Sequence, residues 1–498
     1  MVSKFDDYLI CGTQHDLDGL ENTDSFSYKT GEDIVFILKP KQSYSVEYTL
    51  YKDNAAENLY GDEKIIDAVR QSVKHATATG DTQIVTRMAK PGAVRLGCNL
   101  TDKNGEVILR FNIGAVADSD KIRQPMDKAN LIPTGYITSS GEKVEKSIKE
   151  FYNDMRTDFD SIFEKIKQKV EKERKAFNEF WYKEKNIGDS FCIPETVECR
   201  VVKTDESGVY VDFKLATDEG VGTVSTGDDG LFCSEIYKKR SIQTGRQQYN
   251  LRPSSGIISV PVPAAAGTLS MRGCYRGYGN VPAELVGTDA DIAVSMNSHG
   301  ILNMCGSDYY EKLDRVPLED GGIGNCVVSL YEQALTDPRD LYTYGILMRD
   351  YVALQFAKLI PFYDGRGENL TVIGGSMAAW QSVCLSVLDK DVVKSRLNIP
   401  WMCSLGWEKA GDIPSGFMPV GTNAEYYYST VCAARLLHGR KNYSTAITAG
   451  LADYDASPPS GVTALYNEFD CPKCIEFEQF KNHGQSACRN VIISRREQ

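Results

Sequence analysis

Histidine is scarce in this chain: five in 498 residues, at positions 15, 75, 299, 438 and 483. Any reaction that needs an imidazole base therefore has five places to draw on. No run of about 18 or more apolar residues occurs, so no transmembrane helix is expected. The opening MVSKFDDYLICG is acidic within its first seven residues and lacks an apolar h-region. It shows no secretory signal and points to a cytoplasmic protein; a trimmed start would hide such a signal. Cys471-Pro-Lys-Cys474 is a lone C-x-x-C with no second pair and no histidine at zinc spacing, which argues against a metal site. Of the 14 cysteines, several, such as Cys384 and Cys432, lie in apolar stretches and read as small buried hydrophobes in a reducing compartment. The net charge of −12 argues against nucleic acid or an anionic membrane surface as a partner. No internal repeat or low-complexity tract is evident.

What is there is ample core-forming material, 42% hydrophobic residues, enough for two or three domains. Residues 1–120 read as β. In SYSVEYTL, Tyr44, Val46, Tyr48 and Leu50 alternate onto one face; in AVRLGCNL, Val94, Leu96, Cys98 and Leu100 do the same. Asn104-Gly105 suits the tight turn after the second run, and TGEDIVFIL adds a further strand. The expectation is a small β-sandwich of immunoglobulin-like size over residues 1–130. Residues 144–182 change period. Val144, Ile148, Phe151, Met155, Phe159, Ile162, Ile166 and Val170 recur at spacings of three and four, with Lys and Glu between them. This predicts one amphipathic helix, or two with a break near Thr157. With so few heptads, a connector packing its stripe on a neighbour is favoured over a coiled-coil seam.

From about residue 195 strands and helices alternate. VECRVV and GVYVDFKL predict an antiparallel hairpin. TLSMRGCY, DIAVSMN, NLTVIGG, IPWMCSL, STAITAGL and CIEFEQF follow as strand candidates, with a helix over 338–359 on which Leu347, Tyr351 and Leu354 share a face. Alternation of this kind implies an α/β domain with a mainly parallel sheet and helices on both sides. Loops at the C-terminal strand ends then hold the chemistry.

At one such end stands TVIGGSMAAW, 371–380. An apolar strand, two glycines, Ser376 and a helix start are the setting of a nucleophile elbow. The usual pattern is G-x-S-x-G; here Gly374 precedes and Ala378 follows. On this motif alone, a nucleophile and a solvated serine at a glycine-rich strand end stand equal. A serine needs a base. His15 and His75 lie in the N-terminal region, and His438 in LLHGRK suits a helix cap. His299 follows the strand DIAVSMN, and His483 follows the strand CIEFEQF. In α/β hydrolases the order along the chain is Ser, then Asp or Glu, then His, which His483 satisfies and His299 does not. Asp453, after STAITAGLA, is the candidate acid that would orient the imidazole, with Asp455 two residues on as the alternative; both would also serve as plain turn aspartates. Oxyanion donors are expected from the backbone N–H of Met377, at a helix start, and of Tyr278 in the glycine-rich CYRGYGN after an early strand.

These residues carry a family likeness. RPSSGIISVPVP followed by CYRGYGN resembles the early strands and oxyanion loop of the acetylxylan esterase and cephalosporin-C deacetylase family, which shows R-P-x-x-G and then H-G-Y-G. SMNSHGILN resembles its N-x-H-G-I segment. The stretch from Asp337-Pro338 to Gly374-Gly375-Ser376 looks like its D-P-x-x-x-Y-x-x-x-x-x-D helix leading into G-G-S-Q-G. AGLADYDASPPSGVTALYNEF is similar to its G-L-x-D…P-P-S-x-x-x-A-Y-N block, the most specific part, and FKNHG matches its closing His-Gly. AFNEFWYKEK looks like the helix that opens its catalytic domain. The likeness spans about residues 176–485, inside a domain taken as 131–498. It implies an α/β-hydrolase fold with Ser376 as nucleophile, Asp453 as acid, His483 as base, and Tyr278 and Met377 as oxyanion donors. It further implies a carbohydrate esterase that removes O-acetyl groups from acetylated xylo-oligosaccharides or small acetyl esters, with no cofactor and no metal, associating as a homo-oligomer.

The chain departs from the pattern at Arg276, where the family has His, at Met377 for Gln and at Ala378 for Gly. The stretch between Asp453 and Pro458 is one residue longer, which keeps Asp455 open as the acid. Two other readings stand beside the esterase. One is a different hydrolase on the same scaffold, such as a feruloyl or glucuronoyl esterase or a peptidase. The other is a catalytically degenerate glycan-binding protein. Trp380 and Trp401 suit pocket walls or, more simply, core packing.

Overall fold

A computed structural model describes residues 7–18, 26–52, 74–128, 130–138, 140–216, 254–275, 277, 285–289, 291–298, 316–317, 323–324, 336–339, 341–366, 369–405, 423–453, 456–483 and 492–497. Its contacts divide the chain into two compact units. The first comprises residues 1–132, 397–421 and 429–498; the second comprises residues 133–396 and 422–428.

In the first unit, strands β1 (Leu9–Thr13), β3 (Ile34–Pro40) and β6 (Thr82–Thr86) form an antiparallel sheet in the order β1-β3-β6. Helix α1 (Gln14–Leu17) follows β1 on a Thr13 capping box. A second sheet runs β2 (Ser27–Tyr28), β8 (Val107–Ala117), β7 (Gly92–Thr101), β4 (Ser45–Lys52) and β5 (Lys74–Ala78). The alternation read from the sequence is the alternation observed: Val46, Tyr48 and Leu50 are buried on β4, and Val94, Leu96, Cys98 and Leu100 on β7. They share one apolar core with Leu9, Ile34 and Phe36 of the other sheet. The turn at Asn104-Gly105 joins β7 to β8, with Gly105 at φ 82°.

The second unit opens with a small hairpin, β9 (Gly135–Ile137) and β10 (Lys143–Glu145). Helix α2 (Ile148–Lys172) follows, started by a capping box between Ser147 and Glu150, and then α3 (Arg174–Tyr182). The helix does not break at Thr157, whose hydroxyl is satisfied by the Asn153 carbonyl (2.9 Å). It breaks at Glu173, where the backbone leaves the helical region. The predicted stripe is buried at Ile148, Phe151, Met155, Phe159, Ile166 and Val170.

Strands β11 (Ser190–Ile193), β12 (Val197–Asp205), β13 (Gly208–Leu215), β14 (Ser254–Val260), β15 (Met271–Cys274), β16 (Ile292–Met296), the short pair β17 (Val316–Pro317) and β18 (Ile323–Gly324), β19 (Leu370–Gly375) and β20 (Val392–Asn398) complete the strands of this part of the chain. The large sheet runs β11-β12-β13-β14-β16-β15-β19-β20. β12 and β13 form the expected hairpin, and the antiparallel pairing continues through β14 to β16. From β16 through β15 to β19 the strands are parallel. Every residue of β13 and β14 is buried, as expected for strands covered on both faces.

Helix α4 (Tyr342–Ala357) and helix α5 (Met377–Leu388) pack in the same unit, and the α2 stripe is covered there. Phe159 meets the rings of Tyr344 and Tyr351, and Tyr152 donates to Cys384 Sγ (3.1 Å).

One strand differs from expectation. IPWMCSL, 399–405, forms turns, and the strand lies just before it at β20. Ile399 and Met402 hold positive φ (42° and 59°), and Pro400 has no N–H for a ladder. The polar Lys394, Ser395 and Arg396 hide the real strand from a search for apolar runs. STAITAGL and CIEFEQF are the parallel strands β21 (Ser444–Gly450) and β22 (Lys473–Glu478) of the first unit, paired onward to β23 (Ile492–Glu497). Helices α6 (Thr430–Arg435) and α7 (Pro459–Glu468) accompany them. Among the described residues no helix is long and apolar enough to cross a membrane.

Candidate functional site

Ser376 sits between β19 and α5, where the sequence predicts a strand-to-helix turn. Its backbone is at φ 57°, ψ −121°, a region that side-chain-bearing residues avoid. Such strain persists only where the surroundings enforce it, and here they do. Gly374 must be glycine, because a Cβ there would lie 2.1 Å from the Ala378 carbonyl oxygen. The turn is thus folded tightly onto the first turn of α5. Ser376 is half-buried, and its side chain makes no capping bond to the helix it precedes.

Met377 is the first residue of α5, and its side chain is fully buried. The first N–H groups of a helix have no acceptor within it and point out of its positive end. The other expected donor, Tyr278, lies outside the described residues, as do Arg276 and His299. The described part of that loop does reach the elbow. Tyr275 N–H donates to the Ile373 carbonyl (3.1 Å), and a Cβ on Gly277 would come within 3.3 Å of the Gly375 carbonyl oxygen. Gly277 therefore lies beside the residue that precedes Ser376.

Asp453 and His483 meet in the first unit. His483 Nδ1 lies 2.7 Å from Asp453 Oδ2. The carboxylate is completely buried and the imidazole about a quarter exposed (side-chain exposures 0% and 28%). The other oxygen, Oδ1, accepts the N–H groups of Ala456 and Ser457, both at 3.3 Å. Asp453 is thus held by its own loop and presents one oxygen to the ring. A carboxylate in that place fixes a proton on Nδ1 and leaves Nε2 as the atom that can accept one. Asp455 lies outside the described residues.

The other described histidines are occupied elsewhere. His15 stacks on Tyr28 at 4.1 Å, His75 pairs with Glu47 at 3.1 Å, and His438 Nε2 lies 2.6 Å from the Glu468 carbonyl at the end of α7. The sequence suits His438 to capping the helix that it follows; the ring instead meets the last carbonyl of α7. Trp380 and Trp401 are both core residues, and Trp380 Nε1 donates to the Tyr428 carbonyl (2.8 Å). Cys471 and Cys474 are free thiols, and among the described residues no group of three or more His, Cys, Asp or Glu is arranged to hold a metal.

Ser376 and Met377 belong to the second unit, and Asp453 and His483 to the first. Sequence reasoning misses what adjoins the second pair. Gln479 and Phe480, which stand between β22 and His483, and Gly114, which bonds to Gln479, carry no motif.

No protein-family model matches the sequence, and no curated protein matches it. Among solved structures the chain is similar to an acetyl xylan esterase from Paenibacillus sp., at 16% identity and TM-score 0.40, over 66% of this chain and 90% of that one. It is also similar to an acetyl xylan esterase from Thermoanaerobacterium sp., at 13% identity and TM-score 0.39, over 73% of this chain and 95% of that one.

Proposed function

We propose that this chain is a serine carbohydrate esterase of the α/β-hydrolase type, with Ser376, His483 and Asp453 as its triad. In this reading residues 1–130 are an immunoglobulin-like β-sandwich, and residues 131–498 are the helical connector and catalytic domain. The observation that carries it is the backbone of Ser376: a serine at φ 57° on a strand-to-helix turn is strain that a plain loop serine does not need. The His483–Asp453 pair and the sequence likeness support it independently.

The chemistry is acyl transfer. His483 Nε2 takes the hydroxyl proton as Ser376 Oγ attacks the acetyl carbonyl carbon. The Met377 and Tyr278 N–H groups bind the oxyanion of the tetrahedral intermediate. The intermediate collapses, the C–O bond to the sugar breaks, and His483 gives its proton to the departing sugar oxygen. Water attacks the acetyl-enzyme as His483 takes its proton; the bond from the acetyl carbon to Ser376 Oγ then breaks, Oγ takes the proton back from His483, and acetate leaves. Asp453 keeps Nδ1 protonated and offsets the imidazolium charge. The substrate class is O-acetylated xylo-oligosaccharides or small acetyl esters, and no cofactor takes part.

The test is acetate release from an aryl acetate and from acetylated xylo-oligosaccharides, for wild type and Ser376→Ala side by side. Hydrolysis of both by wild type, lost by a factor on the order of 10⁴ or more in the folded variant, is expected. A folded wild type that hydrolyses neither overturns the proposal.

A further inference from the structure

We infer that the N-terminal β-region positions the His483–Asp453 pair, through Gly114 on β8 and Gln479 beside β22. The inference rests on the esterase reading for its catalytic readout and on geometry for the rest.

Two loops carry the pair, 450–453 and 479–483, and they lock together. Ala452 N–H donates to the Lys481 carbonyl (3.0 Å), and a Cβ on Gly450 would lie 2.0 Å from that same oxygen. Both loops then land on one residue of the N-terminal region. A Cβ on Gly114 would lie 2.0 Å from the Leu451 carbonyl oxygen, so the first loop is pressed against bare backbone. The second loop is pinned by the Gln479 carboxamide. Gly114 N–H donates to its Oε1 (2.8 Å), and its Nε2 donates to the Gly114 carbonyl (2.8 Å) and to Asp16 Oδ2 (3.0 Å). Gln479 is 1% exposed, so this amide imitates a strand pairing inside the protein. The next residue, Phe480, holds φ 66° and buries its ring in the core of the two N-terminal sheets. Three residues further on stands His483. Gly114 therefore contacts the loop of the acid and the loop of the base at once. It fixes their separation without touching either side chain.

Gln479 is a positioning residue in this account. Gln479→Met keeps its bulk and removes the amide. In the full-length protein, kcat on an aryl acetate is expected to fall about 10–100-fold, the scale of a misplaced catalytic group, with KM within about twofold. The low-field proton resonance of His483 Nδ1, assigned by its loss in His483→Gln, is expected to shift or broaden. Asp16→Ala, which removes one acceptor of the amide, gives the same changes at smaller amplitude and serves where Gln479→Met does not fold. Val85→Ala, on the exposed side of β6 in the same region, leaves both readouts unchanged. Unchanged kcat and an unchanged resonance in either amide variant overturn the inference while leaving the esterase reading intact. A wild type without hydrolysis sinks that reading instead, and the resonance alone then decides whether the amide sets the pair.

Discussion

The elbow at Ser376 and the pair at His483 are built by opposite means. The elbow is local. Its strain is enforced within five residues, by Gly374 pressed on the Ala378 carbonyl and by the helix that starts at Met377. The His483–Asp453 pair is assembled from afar. Its loops lie about 30 residues apart, and the backbone that braces them comes from Gly114, 365 residues before Gln479. The difference teaches that a strained serine can be held by contacts within one short segment. The His483–Asp453 pair, by contrast, rests on loops that contact a strand distant in sequence.

Breaking the assembled half directly has the largest expected effect. Asp453→Asn leaves a buried amide facing His483 Nδ1 and favours the wrong tautomer; kcat is expected to fall about 10⁴-fold with the fold retained. Steady-state kinetics with circular dichroism on the same preparation checks this. Breaking the local half by sterics alone comes next. Gly374→Ala places a Cβ 2.1 Å from the Ala378 carbonyl oxygen, so the elbow must open. An activity loss of about 10²-fold with a lower Tm is expected. Wild-type kcat in the Gly374→Ala variant would mean that the elbow is not held by contact with α5.

A third prediction separates stability from catalysis in the elbow's unit. Asp350 on α4 is fully buried, and burial pushes its carboxyl up to about 8 against the pull of Ser298 and Arg349. In the unfolded chain it ionises near 4. Between those values the folded protein keeps a proton that the unfolded chain releases, so this group's contribution to stability falls as pH rises from about 4 to about 8. Asp350→Asn removes that dependence. Its Tm relative to wild type is expected to be highest at pH 8 and above, and the difference to vanish near pH 4, by calorimetry across the range. A Tm difference independent of pH contradicts it. The smallest effect concerns neither half. Ser147→Ala loses the cap of α2, for about 1 kcal/mol of stability by denaturant titration, with kcat unchanged.

The same contrast explains what can be read from the sequence. Strands β4 and β7 are legible because one face of each is buried and the period is two. Helix α2 is legible because its stripe is buried at spacings of three and four. Ser376 is legible because its constraint is local: small residues must flank a strained turn. Asp453 and His483 are found by their order along the chain and their places after strands, and the 2.7 Å contact joins them. Gln479 is not legible. A carboxamide that pairs with backbone needs no particular neighbour in sequence, so no pattern announces it. The break in α2 is misplaced for another reason: one threonine costs a helix only about half a kcal/mol against alanine, too little to interrupt a helix whose apolar stripe is buried on both sides of it. Strand β20 escapes notice because only part of it faces inward.

Phe480 has a consequence for how the protein comes into being. The core of the first eight strands includes this one ring from near the far end of the chain. A ribosome adds about 5–20 residues per second, so β8 is made roughly 20–70 s before Phe480. Throughout that interval the N-terminal sheets lack a piece of their own interior. They wait as an open mould, and the segment that completes them is the one that delivers His483.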